Sequence, residues 1–210
     1  MNLYYTTEQT KFIEYLSDKV KKIFLNYSES AHGIDHIERV VSLAKEIGIK
    51  ENARSVFLCE LSAWLHDIGR TRENNPGETS RKHHELSYKM LRDWFREERQ
   101  FDFLTDDEKK ELLYSVRYHW NDGADKYDTA WILRDADKLD GLGKNGMNRA
   151  WSLMKDDDQA WNQNFRNTYH CFQFLITKTA REIAKEKNLL LETNKIYFEY
   201  LKSKIEPIEL

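Results

Sequence analysis

Apolar residues recur along this chain at steps of three and four, the spacing of one helix face, rather than in the alternation of a half-buried strand. Only Pro76 and Pro207 interrupt 210 residues, so long stretches are free of the strongest helix breaker. The pattern predicts an all-α fold. A first helix opens at Thr6, where Thr6 and Gln9 have capping-box spacing, and turns Phe12, Ile13, Leu16, Val20, Ile23 and Phe24 to one side. A second is expected over about 35–47, with Ile37, Val40, Val41, Ala44 and Ile47 inward. A third, over about 52–68, buries Val56, Phe57, Leu61, Trp64 and Leu65 and ends at Gly69 as a C-terminal cap.

Residues 70–80 (RTRENNPGETS) carry dense loop chemistry around Pro76-Gly77 and are expected to form a mobile rim. Helices follow over about 80–99, over 106–119 behind the box Thr105-Asp106-Asp107-Glu108, and over 128–139. Gly141, Gly143 and Gly146 break the pattern, which resumes over about 159–186 and 190–204. No repeat, low-complexity segment or interdomain linker stands out, so one domain over 1–210 is expected.

Composition narrows the class. With 40% hydrophobic and 13% aromatic residues the chain can bury a full core. Its net charge of -3, from 33 basic and 36 acidic residues, speaks against an extended nucleic-acid surface. Cys59 and Cys171 stand far apart without a CxxC partner and predict two buried thiols. The opening MNLYYTTEQTKFIEYL has no signal-peptide features, and no window reaches the roughly 18 apolar residues that span a bilayer. A cytoplasmic protein is expected.

The histidines change the picture most. His36, His66, His83, His84 and His119 fall at helix starts, helix ends or polar helix segments, places that core packing would not choose. The dipeptide His66-Asp67 alone is weak, since composition gives about 0.5 such pairs by chance. Neighbouring helical residues point roughly 100° apart, so the two can converge on one ion only near a helix end. Imidazole and carboxylate together suit manganese, iron, cobalt, nickel or zinc, and magnesium less well.

The segments HGIDHIERV (32–40), LSAWLHDIGR (61–70), RKHHELSY (81–88), VRYHW (116–120) and LRDADKLDGLG (133–143) resemble, in order and spacing, the successive motifs of HD-domain phosphohydrolases. The resemblance covers about 30–145 and implies an all-α HD helical bundle with a C-terminal helical extension over about 150–210. It implies a divalent metal held by His36, His66, Asp67 and Asp137. Two further histidines of the family, for a second metal or the substrate phosphate, map onto His83 and His119, with His84 competing for the first. Asp140 shares a helix face with Asp137 and is expected to orient a ligand or a sugar hydroxyl, while Asp135 is expected in solvent. His32 is expected beside the site or as a cap before Asp35.

A divalent ion lowers the pKa of its water from about 15.7 towards about 7 and polarises a phosphoryl oxygen, so hydrolysis of a phosphoester or phosphoanhydride follows naturally. Among the cations beside the motifs, Arg39, Arg70 and Lys138 are expected nearest the phosphate, ahead of Arg81, Lys82, Arg117, Lys144 and Arg149. Asp67, His83, His119 and Lys138 are the expected catalytic set, and Arg39, Arg70, His84 and Asp140 the substrate contacts. The GLGKNG run at 141–146 lacks P-loop spacing. Trp120, Trp131, Trp151, Trp161 and Tyr169 read as core before they read as a base-stacking set.

The resemblance to bacterial nucleotide-cleaving members implies a nucleotide as the small phosphorylated substrate. A hydratase or oxygenase on the same fold, or a regulatory module with a stabilising metal, are the alternatives. The HD-GYP signature of cyclic-dinucleotide enzymes is absent from the motifs. Residues 150–210 are open between a cover for the pocket and a homodimer contact.

Overall fold

The computed structural model describes residues 4–25, 27, 33–73, 82–154 and 157–204. Among these it contains α-helices and short 3₁₀ turns and no strand. The α-helices are α1 (Thr7–Phe24), α2 (Ile34–Lys50), α3 (Val56–Leu65), α4 (His83–Glu97), α5 (Asp106–Tyr118), α6 (Asp128–Asp140), α7 (Gly143–Met154), α8 (Asp158–Gln173), α9 (Lys178–Glu186) and α10 (Leu189–Ser203). The chain divides into two compact units, Met1–Ala136 and Asp137–Leu210. The expected turn at Pro76-Gly77, His32 and Arg81 lie outside the described residues.

In the first unit α3 is the central element. Every residue from Phe57 to Leu65 is buried, as a helix apolar on all sides requires. It packs against α1, α2 and α5. Both expected capping boxes form: Thr6 accepts from the Gln9 N–H while the Gln9 side chain takes the Thr6 N–H, and Thr105 and Glu108 repeat this at α5. Each such cap contributes about 1 kcal/mol. An aromatic cluster of Phe12, Phe57, Phe101 and Phe103 closes one side of the unit.

Several buried polar groups inside the unit are tied together. Glu111, buried on α5, pairs with Arg54 and accepts the Thr129 hydroxyl at 2.5 Å, and the Arg54 N–H donates to Asp128 at 2.7 Å. Arg134, 1% exposed, donates to the carbonyls of Asn121 at 2.5 Å and Ala124 at 3.3 Å. The loop between α5 and α6 is thereby fixed, and His119 stands at its start.

Several expectations need correction. The third helix ends at Leu65, and Ile68–Arg72 form a 3₁₀ turn. Gly69 is not a left-handed cap, since Gly143 is the one glycine at positive φ among the described residues. Gly69 is instead where the turn meets α4: a Cβ there would stand 2.2 Å from the His83 carbonyl oxygen and 2.4 Å from the Ser87 nitrogen. Arg70 to Arg72 thus belong to a packed turn, not to a loose rim. Asp135 is fully buried, not solvated.

In the second unit the glycine run ends α6 at Asp140 and is followed at once by a further helix, α7, which opens at Gly143 with φ 67°. The expected helix over 159–186 is two helices, because Thr177 accepts the Ala180 N–H at 3.2 Å and starts α9 afresh. The core here is Met147, Ala150, Trp161 and Tyr200, flanked by Phe165 and Tyr197 stacked 3.8 Å apart. Trp161 is therefore core, as expected. His170 stacks on Phe174 at 4.2 Å, a packing role.

Candidate metal centre

Four helix ends carry the histidines. His36 lies in the first turn of α2, His66 caps the C-terminus of α3, His83 is the first residue of α4, and His119 caps α5. Asp67 follows His66 just past the end of α3, which lets the two side chains converge instead of diverging as helical neighbours would.

His66 and His119 are oriented by the same device. Nδ1 of each sits 2.7 Å and 2.8 Å from the carbonyl three residues back, Ala63 and Val116 respectively. A carbonyl only accepts, so the proton is on Nδ1 and each Nε2 presents a lone pair. These lone pairs meet other imidazoles: His66 Nε2 lies 3.3 Å from His36 Nε2, and His119 Nε2 lies 3.4 Å from His83 Nε2.

Asp67 stands between the two imidazole pairs. Its Oδ2 is 3.7 Å from His66 Nε2 and 3.8 Å from His36 Nε2. Its Oδ1 is 3.4 Å from His83 Nε2 and 4.0 Å from His119 Nε2. That Oδ1 is buried and accepts no hydrogen bond. Two groups of ligating atoms therefore share one carboxylate: His36, His66 and Asp67, and Asp67, His83 and His119. A buried carboxylate oxygen without a donor, set among closely spaced imidazole nitrogens, fits a divalent cation.

Electrostatics agree. Burial alone would raise the Asp67 pKa, yet His66, Arg70, His83 and His36 hold it well below the usual carboxylate range. Burial pushes His83 down to about 3, so its imidazole is neutral and free to ligate at pH 7. Arg70 Nε donates to Asp67 Oδ2 at 3.3 Å, and its Nη1 donates to Glu73 at 3.2 Å. Glu73 also accepts the His83 backbone N–H at 3.0 Å.

His83 faces Asp67 and His119, whereas His84 points its ring against Trp120. Arg70 reaches the cluster directly. Arg39 is half-buried on α2, Arg117 pairs with Glu85 at 3.1 Å, and Lys82 lies near Trp120. In the second unit, Lys138 donates to the Phe174 carbonyl at 3.2 Å, and Asp140 is held by Arg149 at 3.1 Å. Asp137 is half-buried on α6, the first residue past the division. Glu73 was not singled out in the sequence, because a lone acid in a loop-like run carries no spacing signal.

Comparison with known proteins follows the same lines. The HD domain family matches residues 33–142. No curated protein matches the chain in sequence. Among solved structures, Bacillus subtilis YpgQ in complex with ADP is 23% identical and superposes with a TM-score of 0.69 over 97% of this chain and 100% of its own. A predicted HD superfamily hydrolase from an uncultured Thermotogales bacterium is 24% identical, with a TM-score of 0.56 over 82% and 91% of the two chains. An HD-superfamily hydrolase from Bacillus thuringiensis is 21% identical, with a TM-score of 0.67 over 93% and 97%. At these identities the superpositions speak for the fold. With the match spanning more than half of its length, the chain belongs to the HD-domain family, whose general class is the metal-dependent hydrolase.

Proposed function

We propose that the chain hydrolyses a phosphoester or phosphoanhydride of a small molecule, a nucleotide, with one or two divalent ions at the Asp67 cluster. The observation that carries this is the carboxylate of Asp67, shared between two facing imidazole pairs with one buried oxygen lacking any donor. His36, His66 and Asp67 would hold one ion, joined on the resemblance of the last motif by Asp137. Asp67, His83 and His119 would hold a second or receive the substrate phosphate. Manganese, iron, cobalt, nickel and zinc suit this donor set. The nucleotide follows the ADP found on the Bacillus subtilis relative.

When bound, the ion supplies a water acidic enough to deliver hydroxide at neutral pH and draws charge from the phosphoryl oxygen. The chain's own groups do the rest. Nδ1–H bonds to Ala63 and Val116 fix the His66 and His119 rings, so no reorientation is needed as charge develops. Arg70, tied to Asp67 and Glu73, keeps a guanidinium at the cluster for a phosphoryl oxygen. His83, neutral at working pH, neither repels the cation nor loses its lone pair to a proton.

The test compares wild type with Asp67→Ala by elemental analysis, and by phosphate and pyrophosphate release from a nucleotide panel with manganese, cobalt or magnesium. Loss of bound metal together with turnover in the variant is expected. Metal retained by a wild type that releases neither product would retire hydrolysis in favour of a non-hydrolytic reaction on this fold.

A further inference from the structure

Trp120 follows the buried His119, yet it is 55% exposed. Isolated exposed aromatics are common, so its position matters more than its exposure. The indole leans on His84 with ring centroids 5.3 Å apart and planes 32° from parallel. The Lys82 ammonium lies 5.9 Å from the ring centre. His84 is only 6% exposed and packs edge-on against His83 at 5.3 Å and His119 at 6.4 Å. One imidazole therefore separates the indole from the metal cluster. The turn that carries it is fixed, since the Asn121 N–H donates to the Tyr118 carbonyl at 2.9 Å and Arg134 holds the Asn121 carbonyl.

A second observation points the same way. His84 Nδ1 is buried and has no hydrogen-bond partner. A buried ring nitrogen left bare costs stability unless a ligand group completes it. A flat aromatic face, an ammonium at its edge and an unpaired imidazole nitrogen, set beside a cation site, match a ligand with a planar heterocycle, a hydroxyl-bearing linker and an anionic end.

We propose that Trp120, backed by His84 and edged by Lys82, is a nucleobase platform on which the base of the substrate stacks while its phosphates reach the His83–His119 side of the cluster. This rests on the reading of the substrate as a nucleotide and sharpens it. Stacking reads the π-face that every base possesses, so the platform accepts purines and pyrimidines alike, favours the larger ring, and discriminates chiefly against polyphosphates without a base. Trp64 and Trp94 of the same unit are, by contrast, buried in packing.

The experiment is calorimetric titration with ADP, inorganic pyrophosphate and ribose 5-phosphate, in manganese, on wild type, Trp120→Ala, Trp120→Phe and Lys82→Ala. Circular dichroism checks that each variant is folded. Trp120→Ala should weaken ADP about 5- to 100-fold and leave pyrophosphate within about twofold, while Trp120→Phe retains most of the affinity. Equal loss on ADP and pyrophosphate, equal loss on ADP and ribose 5-phosphate, or no loss on ADP would each overturn the platform. Where nucleotides are turned over, the Trp120→Ala defect should fall on KM rather than kcat. A wild type that binds ADP through Trp120 but cleaves no nucleotide leaves the platform standing and removes the proposed activity. Cleavage with Trp120-independent ADP binding does the reverse, and a wild type that does not bind ADP removes both.

Discussion

His83 shows what a single buried imidazole does to the molecule as well as to the site. Its folded pKa is depressed to about 3 from an ordinary 6.5, chiefly by burial. Between those values the unfolded chain takes up a proton that the folded chain refuses, so stability is complete above pH 6.5 and drains away as pH falls towards 3. Asp67 is depressed below its ordinary 3.8, and its contribution is lost only at more acid pH, so the two windows separate. Metal-stripped protein should therefore lose thermal stability as pH drops from 6.5 to 3.8. His83→Asn should flatten that slope, and an unchanged slope would show that His83 is not its source. At this scale the sequence was legible where a residue type has few employments: His36, His66, Asp67, His83 and His119 all reach one cluster. It was illegible between His83 and His84, which differ by one helical step that only the direction of α4 decides. Asp135 also misled, because a carboxylate in a polar-looking run can be wholly buried.

At the scale of elements, the join between the 3₁₀ turn and α4 sets the distance from Asp67 to His83. Gly69 lets the two backbones touch, and its N–H donates to Ser87 Oγ at 2.8 Å. An alanine Cβ would meet rigid backbone atoms, so the turn and the helix must part. Gly69→Ala should cost about 1–3 kcal/mol of stability and weaken metal binding even though no ligand is altered. Thermal unfolding and metal titration together check this; a variant with wild-type metal affinity would show that the contact does not position His83. Caps were the most readable elements, since Thr6 with Gln9 and Thr105 with Glu108 declare themselves by spacing. Helix continuity was less so: the apolar spacing runs through 174–177, and only the Thr177 cap divides α8 from α9. The close contact at Gly69 could not be read at all, because glycine at a helix end looks like a cap whatever it touches.

Across the whole molecule, fold class and family were available from pattern and motif order, and the structural relatives extend that likeness over nearly the full chain. The five motifs are not confined to one unit. LRDADKLDGLG runs across the division after Ala136, and Asp137 is the first residue of the second unit. No described helix is long and apolar enough to cross a membrane. The convergence of helix ends on Asp67 has a thermodynamic consequence. α3 and α5 arrive carbonyl-first, whereas α2 and α4 leave from their amide ends. Peptide dipoles then place about half a negative charge at each of two ends and about half a positive charge at each of the others. A cation alone satisfies two ends and opposes two, and so does an anion alone; the pair satisfies all four. Manganese and pyrophosphate should thus raise each other's affinity by one common factor, whichever is titrated first, and independent binding in both orders would show that the backbone takes no part in the choice.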